Sequence, residues 1–422
     1  MGTSNVSGDS TVKSITGPWV SGEDFFDREG ELQVLDRHIR SGNPVLLSGQ
    51  RRMGKTSVAR ELGRRLEQDG WAFAFADVEH AASAEDVITK IAQALHPVRG
   101  IASRLGERLA RLFSDNVEQL SAYDFGIKFR AGLNAGAWPR HGESIIRSCA
   151  EHEQRILLVI DELPIFLNRL LREENGLALV DEFLSWLRGA IQDVSGGSLV
   201  LIVSGSIGLT PLVRRLGLTD RTNYLYEVRL GPWNRSTSIE CFHRLAVANA
   251  LPVEDGVAEA ACDALGVGIP HHVQSFFARL LDFATMHSRD TIKAADVETV
   301  YQTDLLGPFG QNDLMHYEAR LRDALGENDF AIANAILAEA AVQDHFTPSA
   351  RTALEALFAT KIENTSERVT DILDILIHDG YLETNDSGHR FVSHLLKDWW
   401  ATRYANHHPI LSSTRSNAKA SR

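Results

Sequence analysis

The sequence contains little cysteine and no long apolar run. Three cysteines occur among 422 residues, namely Cys149, Cys241 and Cys262. They are far apart and form no CxxC pair, so we expect neither a zinc site nor a disulfide framework, which fits a reducing compartment. No apolar run approaches the ~20 residues that cross a bilayer, and the start of the chain lacks the basic and apolar regions of a signal peptide. We therefore expect a soluble, cytoplasmic protein without a membrane partner.

Positive charge is also scarce. The chain has 43 lysines and arginines against 56 aspartates and glutamates, a net charge of −13. Such a chain is poorly suited to coating nucleic acid or an anionic membrane, because those partners are bound through cations. Hydrophobic residues make up 44% of the sequence, which is enough for a large buried core in two or three domains.

Short apolar runs alternate with longer helical patterns in the first half of the chain. The runs lie at 44–49, 72–79, 155–162, 199–206 and 224–230. This alternation is typical of an α/β fold, a parallel sheet with helices on both faces. Residues 100–140 look like an insertion, in which a helical stretch (102–113) precedes a segment (125–138) that alternates like a hairpin.

The second half of the chain has helical patterns until close to its end. Those between 233 and 314 predict a small helical bundle. Within 315–408, helices at 330–342, 348–360 and 365–378 precede two short strands joined by a polar turn. That order is typical of a winged helix-turn-helix. The polar ends, 1–20 and 409–422, predict flexible segments, which leaves 21–232 as the α/β core.

The stretch GQRRMGKT (49–56) fits the phosphate-loop pattern G-x-x-x-x-G-K-[ST]. An apolar strand precedes it and an amphipathic helix follows, so backbone N–H groups and the helix dipole would face phosphate oxygens. We expect Lys55 to neutralise the β- and γ-phosphates of a nucleotide and Thr56 to offer its hydroxyl to Mg²⁺. The predicted nucleotide-binding residues are Gly49, Gln50, Arg51, Arg52, Met53, Gly54, Lys55, Thr56 and Ser57.

A second group of polar residues ends the predicted strand RILLVIDE (155–162). In a parallel sheet this carboxyl edge is where ligands bind, beside the phosphate loop. Asp161 is the candidate for the Mg²⁺ shell, held through water, and Glu162 is the candidate general base. The alternative is a strand that simply ends on solvated acids.

Two later segments could contact the γ-phosphate. Ser206 follows the strand LVLIVSGS and is the candidate polar sensor, although it could equally begin a turn. Arg221 precedes the last strand and is the best-placed candidate arginine, with Arg214 and Arg215 behind it. A surface position in a polar loop is the alternative for each arginine.

These motifs together resemble the archaeal-type ATPases, which belong to the STAND branch of P-loop ATPases and are related to origin-recognition AAA+ proteins. The resemblance rests on FFDREGELQVLDRHI before the loop, GQRRMGKTS, LLVIDELP, SGS and GVGIPHHVQ (266–274), in that order. It spans about 24–405, with Val267 where the family has a first glycine. It implies a magnesium-dependent ATPase with a helical lid at 233–314 and a C-terminal winged helix. By the same analogy, Phe26, Arg28 and Pro270 would flank adenine.

Three functions fit these features. The first is an ATP-controlled conformational switch with slow hydrolysis, working on a protein partner or through self-association. The second is an ATP-dependent DNA-binding protein, but 320–406 carries eight Lys/Arg against fourteen Asp/Glu, and an acidic face repels the duplex. The cations of the tail, Arg415, Lys419 and Arg422, suit a solvated end better than a DNA contact. The third is a small-molecule kinase, which leaves the lid and the winged helix unexplained.

Overall fold

The computed structural model of the protein describes residues 17, 19–98, 100–101, 121–133, 136–205, 208–360 and 362–411. Within these ranges the chain separates into two compact units. The sheet unit comprises Arg28–Arg51 and Lys55–Leu230, and the helical unit comprises the described residues up to Asp27, then Arg52–Gly54 and those from Gly231 onward. The tip of the phosphate loop is therefore counted with the helical unit.

Five parallel strands form the centre of the sheet unit among the described residues. They are β1 (Val45–Gly49), β2 (Ala72–Asp77), β3 (Ile156–Asp161), β4 (Leu199–Ser204) and β5 (Tyr226–Leu230). Their order is β2-β3-β4-β1-β5, and every pairing is parallel. Each apolar run of the sequence forms one strand, as predicted. All residues of β3 and β4 are buried, because both faces of the sheet are covered.

Helices cover the two faces of this sheet. The helices of the sheet unit are α1 (Glu29–Arg40), α2 (Lys55–Gln68), α3 (Ala84–Leu95), α4 (Ala122–Gly132), α5 (Trp138–Ala150), α6 (Leu163–Leu170), α7 (Gly176–Asp193) and α8 (Leu209–Arg215). Ile156, Leu158 and Ile160 of β3 share one apolar cluster with α3, α5 and α7. On the other face, α2 lies so close to β2 that a Cβ on Gly63 would come within 2.4 Å of the Phe73 ring.

The predicted hairpin at 125–138 is wrong. Residues 122–132 form helix α4, which is capped by the Ser121 side chain on the backbone N–H of Asp124. Phe125 and Phe129 are fully buried, and a spacing of four places both on the inner face of a helix. The helical stretch predicted at 102–113 lies outside the described residues.

The helical unit contains α9 (Arg235–Ala248), α10 (Val257–Leu265), α11 (Pro270–Met286), α12 (Ala294–Val300), α13 (Pro308–Val342), α14 (Pro348–Phe358), α15 (Thr365–His378) and α16 (His394–Tyr404). A hairpin of β6 (Leu382–Asn385) and β7 (Gly388–Phe391) precedes α16. Gly326, at φ 73°, breaks α13. The order of α13, α14, α15 and the hairpin is the predicted order. Helix α16 was not predicted, and it buries Leu395, Leu396, Trp399 and Trp400. No described helix is both long and apolar enough to cross a bilayer.

Candidate functional site

The phosphate loop joins β1 to α2 through a backbone that reverses direction at three residues. Gly49 (φ 142°), Arg52 (φ 68°) and Gly54 (φ 86°) all have positive φ. A Cβ on Gly49 would lie 2.6 Å from the carbonyl oxygen of Leu230, so that position accepts only glycine. The loop therefore has the tight course that the sequence pattern predicts, and α2 begins at Lys55 directly after it.

Lys55 lies with its ammonium against the loop. Its Nζ donates to the backbone oxygens of Gly49 at 2.7 Å and Gln50 at 2.9 Å, and the residue is only 7% exposed. These two carbonyls are neutral acceptors, so they hold the ammonium without cancelling its charge. A buried cation beside a tight glycine-containing loop suits the binding of phosphate oxygens.

Asp161 accepts hydrogen bonds from helix α2 and from the neighbouring strand β4. Thr56 Oγ1 donates to its Oδ2 at 2.8 Å, and Ser204 Oγ donates to its Oδ1 at 2.5 Å. The backbone N–H of Glu162 also reaches Oδ1, at 3.1 Å. Asp161 is 4% exposed. The structure thus brings together Thr56 and Asp161, the two residues predicted for Mg²⁺.

The oxygen atoms of Thr56 and Asp161 are of the kind that binds magnesium. A hydroxyl and a carboxylate are hard oxygen ligands, and Mg²⁺ in phosphate sites is held by one or two carboxylates together with phosphate oxygens and water. Among the described residues, no group of three or more His, Cys, Asp or Glu side chains is arranged to hold a metal. Thr56 and Asp161 are the residues of this edge whose chemistry fits the predicted Mg²⁺.

Glu162, the predicted general base, is half-buried and directly follows β3. Its backbone has φ 62° and caps the N-terminus of α6. This left-handed conformation is uncommon for a residue with a side chain. It ends the strand abruptly at the carboxyl edge, where the sequence pattern places the base.

Of the residues predicted to contact the γ-phosphate, the structure describes the three arginines. Ser206 lies outside the described residues. Arg221 belongs to a short turn (Thr219–Arg221) and donates to Asp181 Oδ1 at 2.7 Å and to Asp220. Those carboxylates raise the pKa of Arg221, with Asp181 the larger cause. Arg214 and Arg215 occupy the last turn of α8.

The residues that the family resemblance places around adenine are Phe26 and Pro270 of the helical unit and Arg28 of the sheet unit. In the helical unit, the Phe26 ring stands edge-on to Trp233 with centroids 5.4 Å apart, and Pro270 is the buried first residue of α11. In the sheet unit, Arg28 is 5% exposed and donates to Glu31 at 2.7 Å. Their role toward adenine stays a prediction.

The tip of the loop belongs to a small charged cluster of the helical unit. Arg52 Nη2 lies 3.4 Å from Asp313 Oδ1, and His271 Nε2 lies 3.7 Å from Asp313 Oδ2. The pKa of Asp313 is lowered to about 2, first by the neighbouring His271 and then by the positive charge of Arg52. Met53, next to Arg52, is 2% exposed. No sequence motif pointed to Asp313.

Ser204 is the site residue that sequence reasoning passed over in favour of Ser206. It is the last residue of β4 and is fully buried. Because β4 pairs with β3 in parallel, with Val203 opposite Ile160, the next residue of each strand, Ser204 and Asp161, meet at the same edge. The signal was present in the sequence as a hydroxyl that directly follows five apolar strand residues.

No protein-family model and no curated protein sequence matches this chain. Solved structures do match it. A Walker-type ATPase of Pyrococcus abyssi is 18% identical with a TM-score of 0.60, covering 92% of this chain and 99% of its own. The ORC2 protein of Aeropyrum pernix, solved as ADPNP–ADP complexes, is 13% identical with a TM-score of 0.55, covering 94% and 98%. At these identities the likeness establishes the fold, so the chain has the α/β fold of the P-loop ATPases.

Proposed function

We propose that the protein binds ATP with Mg²⁺, hydrolyses it slowly and uses the bound nucleotide as a conformational switch. The observation that carries this proposal is the arrangement of Lys55, Thr56 and Asp161 at one sheet edge, with 2.7–2.9 Å contacts within it. Two proteins of the same fold support it, one described as a Walker-type ATPase and one solved with ADPNP and ADP. The soluble, cytoplasmic location predicted from the sequence belongs to the same proposal.

Each residue has a role that its position supports. Lys55 would exchange its hydrogen bonds to the loop carbonyls for hydrogen bonds to β- and γ-phosphate oxygens. Thr56 and Asp161 would bind Mg²⁺, Asp161 through water. The ion, when bound, supplies charge stabilisation of the phosphates. Glu162 would accept the proton of the attacking water. Arg221 would have to leave its ion pairs with Asp181 and Asp220 to reach the γ-phosphate. We therefore propose that it contributes only after a conformational change of this turn.

Removing the Lys55 charge tests nucleotide binding. We expect Lys55→Met to weaken binding of a fluorescent ATP analogue by roughly 10²–10⁴-fold, because two charge-assisted hydrogen bonds of ~1.5–3 kcal/mol each are lost. Lys90→Met, on the exposed side of α3, makes the same change away from the loop and should bind like the wild type. Undiminished affinity in Lys55→Met would rule out this site.

The switch part of the proposal is supported by the Arg52–Asp313 contact. Arg52 is a phosphate-loop residue that belongs to the helical unit, and its charged partner Asp313 lies on α13 of the same unit. A ligand shifts a conformational equilibrium only through different affinities for the two states. Phosphate oxygens in the loop would compete with Asp313 for Arg52, and an ATP analogue would compete more strongly than ADP because it carries one more phosphate.

Hydrogen exchange with a nonhydrolysable ATP analogue, with ADP and without nucleotide tests the switch. We expect altered protection at the start of α13 and in 365–405 with the ATP analogue, and a smaller change with ADP. Asp313→Asn removes the competing charge and should reduce the difference between the two nucleotides. Asp323→Asn, on the same helix, serves as the matched control. Identical protection in all three states would contradict the switch and leave the nucleotide with a purely structural role.

We propose that α13, α14, α15 and the β6–β7 hairpin act as a winged helix that contacts protein rather than DNA. Helix α15 exposes Glu367 and carries the half-buried acids Asp371 and Asp374. Its one arginine, Arg368, lies 3.3 Å from Asp329, so that cation is already paired. Filter binding to duplex DNA at two salt concentrations checks this. Tight binding that falls steeply with salt would favour DNA.

A further inference from the structure

Asp77 and Arg60 are two charged residues that the roles above do not use. Asp77 is the last residue of β2 and the register partner of Asp161 at the end of β3. Register partners on neighbouring strands project from the same face of the sheet. Two carboxylates therefore stand side by side at the carboxyl edge, one of them at the candidate magnesium position.

Helix α2 packs across this face with a regular spacing. Phe73, Phe75 and Asp77 alternate onto one face of β2, while Thr56, Arg60 and Gly63 share one face of α2. Gly63 lies against the Phe73 ring, and the guanidinium carbon of Arg60 lies 3.9 Å from the centroid of Phe75. Two residues after Phe75 the same face of the strand carries Asp77, and four residues before Arg60 the same face of the helix carries Thr56. Arg60 therefore stacks on the ring that precedes Asp77 on the same face of β2.

The surroundings of Arg60 agree with this placement. The residue is half-buried, and burial lowers its pKa, whereas the negative charges of Asp161 and Asp77 raise it. Arginine tolerates such a position better than lysine, because its guanidinium is weakly hydrated and stacks on aromatic rings. The two acids and the stacked ring together hold one positive charge at this edge of the sheet.

We propose that Arg60 is a positioning residue of the nucleotide site, the built-in counter-ion of the Asp77–Asp161 pair that sets how strongly the site takes up Mg²⁺. Without Arg60, two adjacent carboxylates would attract a divalent cation even before nucleotide arrives. With Arg60 the local potential is less negative, so the ion enters mainly together with phosphates. This inference rests on the proposed function, since it assumes that Mg²⁺ and nucleotide share the site.

The test is the Mg²⁺ dependence of binding of a fluorescent nonhydrolysable ATP analogue, which needs no turnover. Arg60→Met keeps an unbranched stem over Phe75 without the charge, and we expect the half-saturating Mg²⁺ concentration to fall about tenfold. Arg60→Lys keeps a charge on the same stem and should lie closer to the wild-type value than Arg60→Met does. Asp77→Asn removes a negative charge at an exposed position and should raise that concentration about tenfold.

Arg65→Met is the matched control, because Arg65 lies on the same helix but pairs with Glu29 and Glu61. A shift in Arg65→Met equal to that in Arg60→Met would reduce the effect to net charge and overturn the inference. So would an Arg60→Met value within about twofold of the wild type, or shifts of Arg60→Met and Asp77→Asn in the same direction. If Arg60→Met does not fold, an unshifted Asp77→Asn overturns the inference. If the wild type shows no Mg²⁺-dependent nucleotide binding, the proposed function itself fails.

Discussion

The hydrogen bond from Ser204 to Asp161 provides a quantitative test of how the site is assembled. Ser204 is fully buried, and its hydroxyl donates to a carboxylate that is itself 4% exposed. A hydrogen bond to a charged group contributes ~1.5–3 kcal/mol, and its loss leaves the acceptor buried with one donor fewer. We therefore expect Ser204→Ala to lower the free energy of unfolding of the sheet unit by about 2 kcal/mol.

Thermal unfolding followed by circular dichroism or calorimetry measures this change. For a unit of about 150–250 residues, ~1 kcal/mol corresponds to ~2–4 °C, so the midpoint should fall by about 5 °C. The two units need not unfold together, and the transition of the sheet unit is the one to follow. Ser148→Ala is the matched control, because Ser148 is equally buried but donates to the backbone oxygen of Ser144 at 2.8 Å.

A double-mutant cycle then separates the charge of Asp161 from simple packing. In an Asp161→Asn background the acceptor is neutral, and the cost of Ser204→Ala should drop to about 1 kcal/mol. Equal costs in both backgrounds, or equal losses in Ser204→Ala and Ser148→Ala, would refute the view that Ser204 orients an ionised Asp161.

Three further changes test other parts of the molecule. Glu162→Gln should keep nucleotide affinity but slow phosphate release about 100-fold or more, because the amide cannot accept the proton of water; unchanged turnover would place the base elsewhere. Arg221→Ala should reduce turnover more than ADP affinity, because an arginine at the γ-phosphate acts where charge develops; equal effects on both would leave Arg221 as a surface residue held by Asp181 and Asp220. Burial, and then the neighbouring His271, lowers the pKa of His272 from 6.5 to about 3, so the unfolded chain binds more protons in that interval and stability falls as pH drops below 6.5. Urea unfolding should show this as a slope of up to ~1.4 kcal/mol per pH unit, and His272→Gln should lack it; the same slope in both proteins would contradict the assignment.

Local patterns in the sequence were sufficient to predict the strands of the sheet and the phosphate loop. Each of the five strands was predicted from its apolar run, because a strand buried on both faces needs continuous apolar residues. The loop was predicted from its two glycines, because Gly49 and Gly54 both have the positive φ that glycine adopts most readily. Thr56 and Asp161 were expected to meet, since a parallel sheet brings strand ends and the loop to one edge.

Tertiary packing decided the rest. Phe125 and Phe129 alternate with smaller residues as a strand would, yet they are buried at helical spacing in α4, so periodicity over a few residues did not identify the element. The hydrogen bond from Ser204 to Asp161 depended on the register of β4 against β3. The pairing of Arg52 with Asp313 and the stacking of Arg60 on Phe75 join residues that are apart in the chain. Sequence by itself determined the strands and the loop because their causes are local, whereas the partners of each charged side chain were settled only when distant elements packed together.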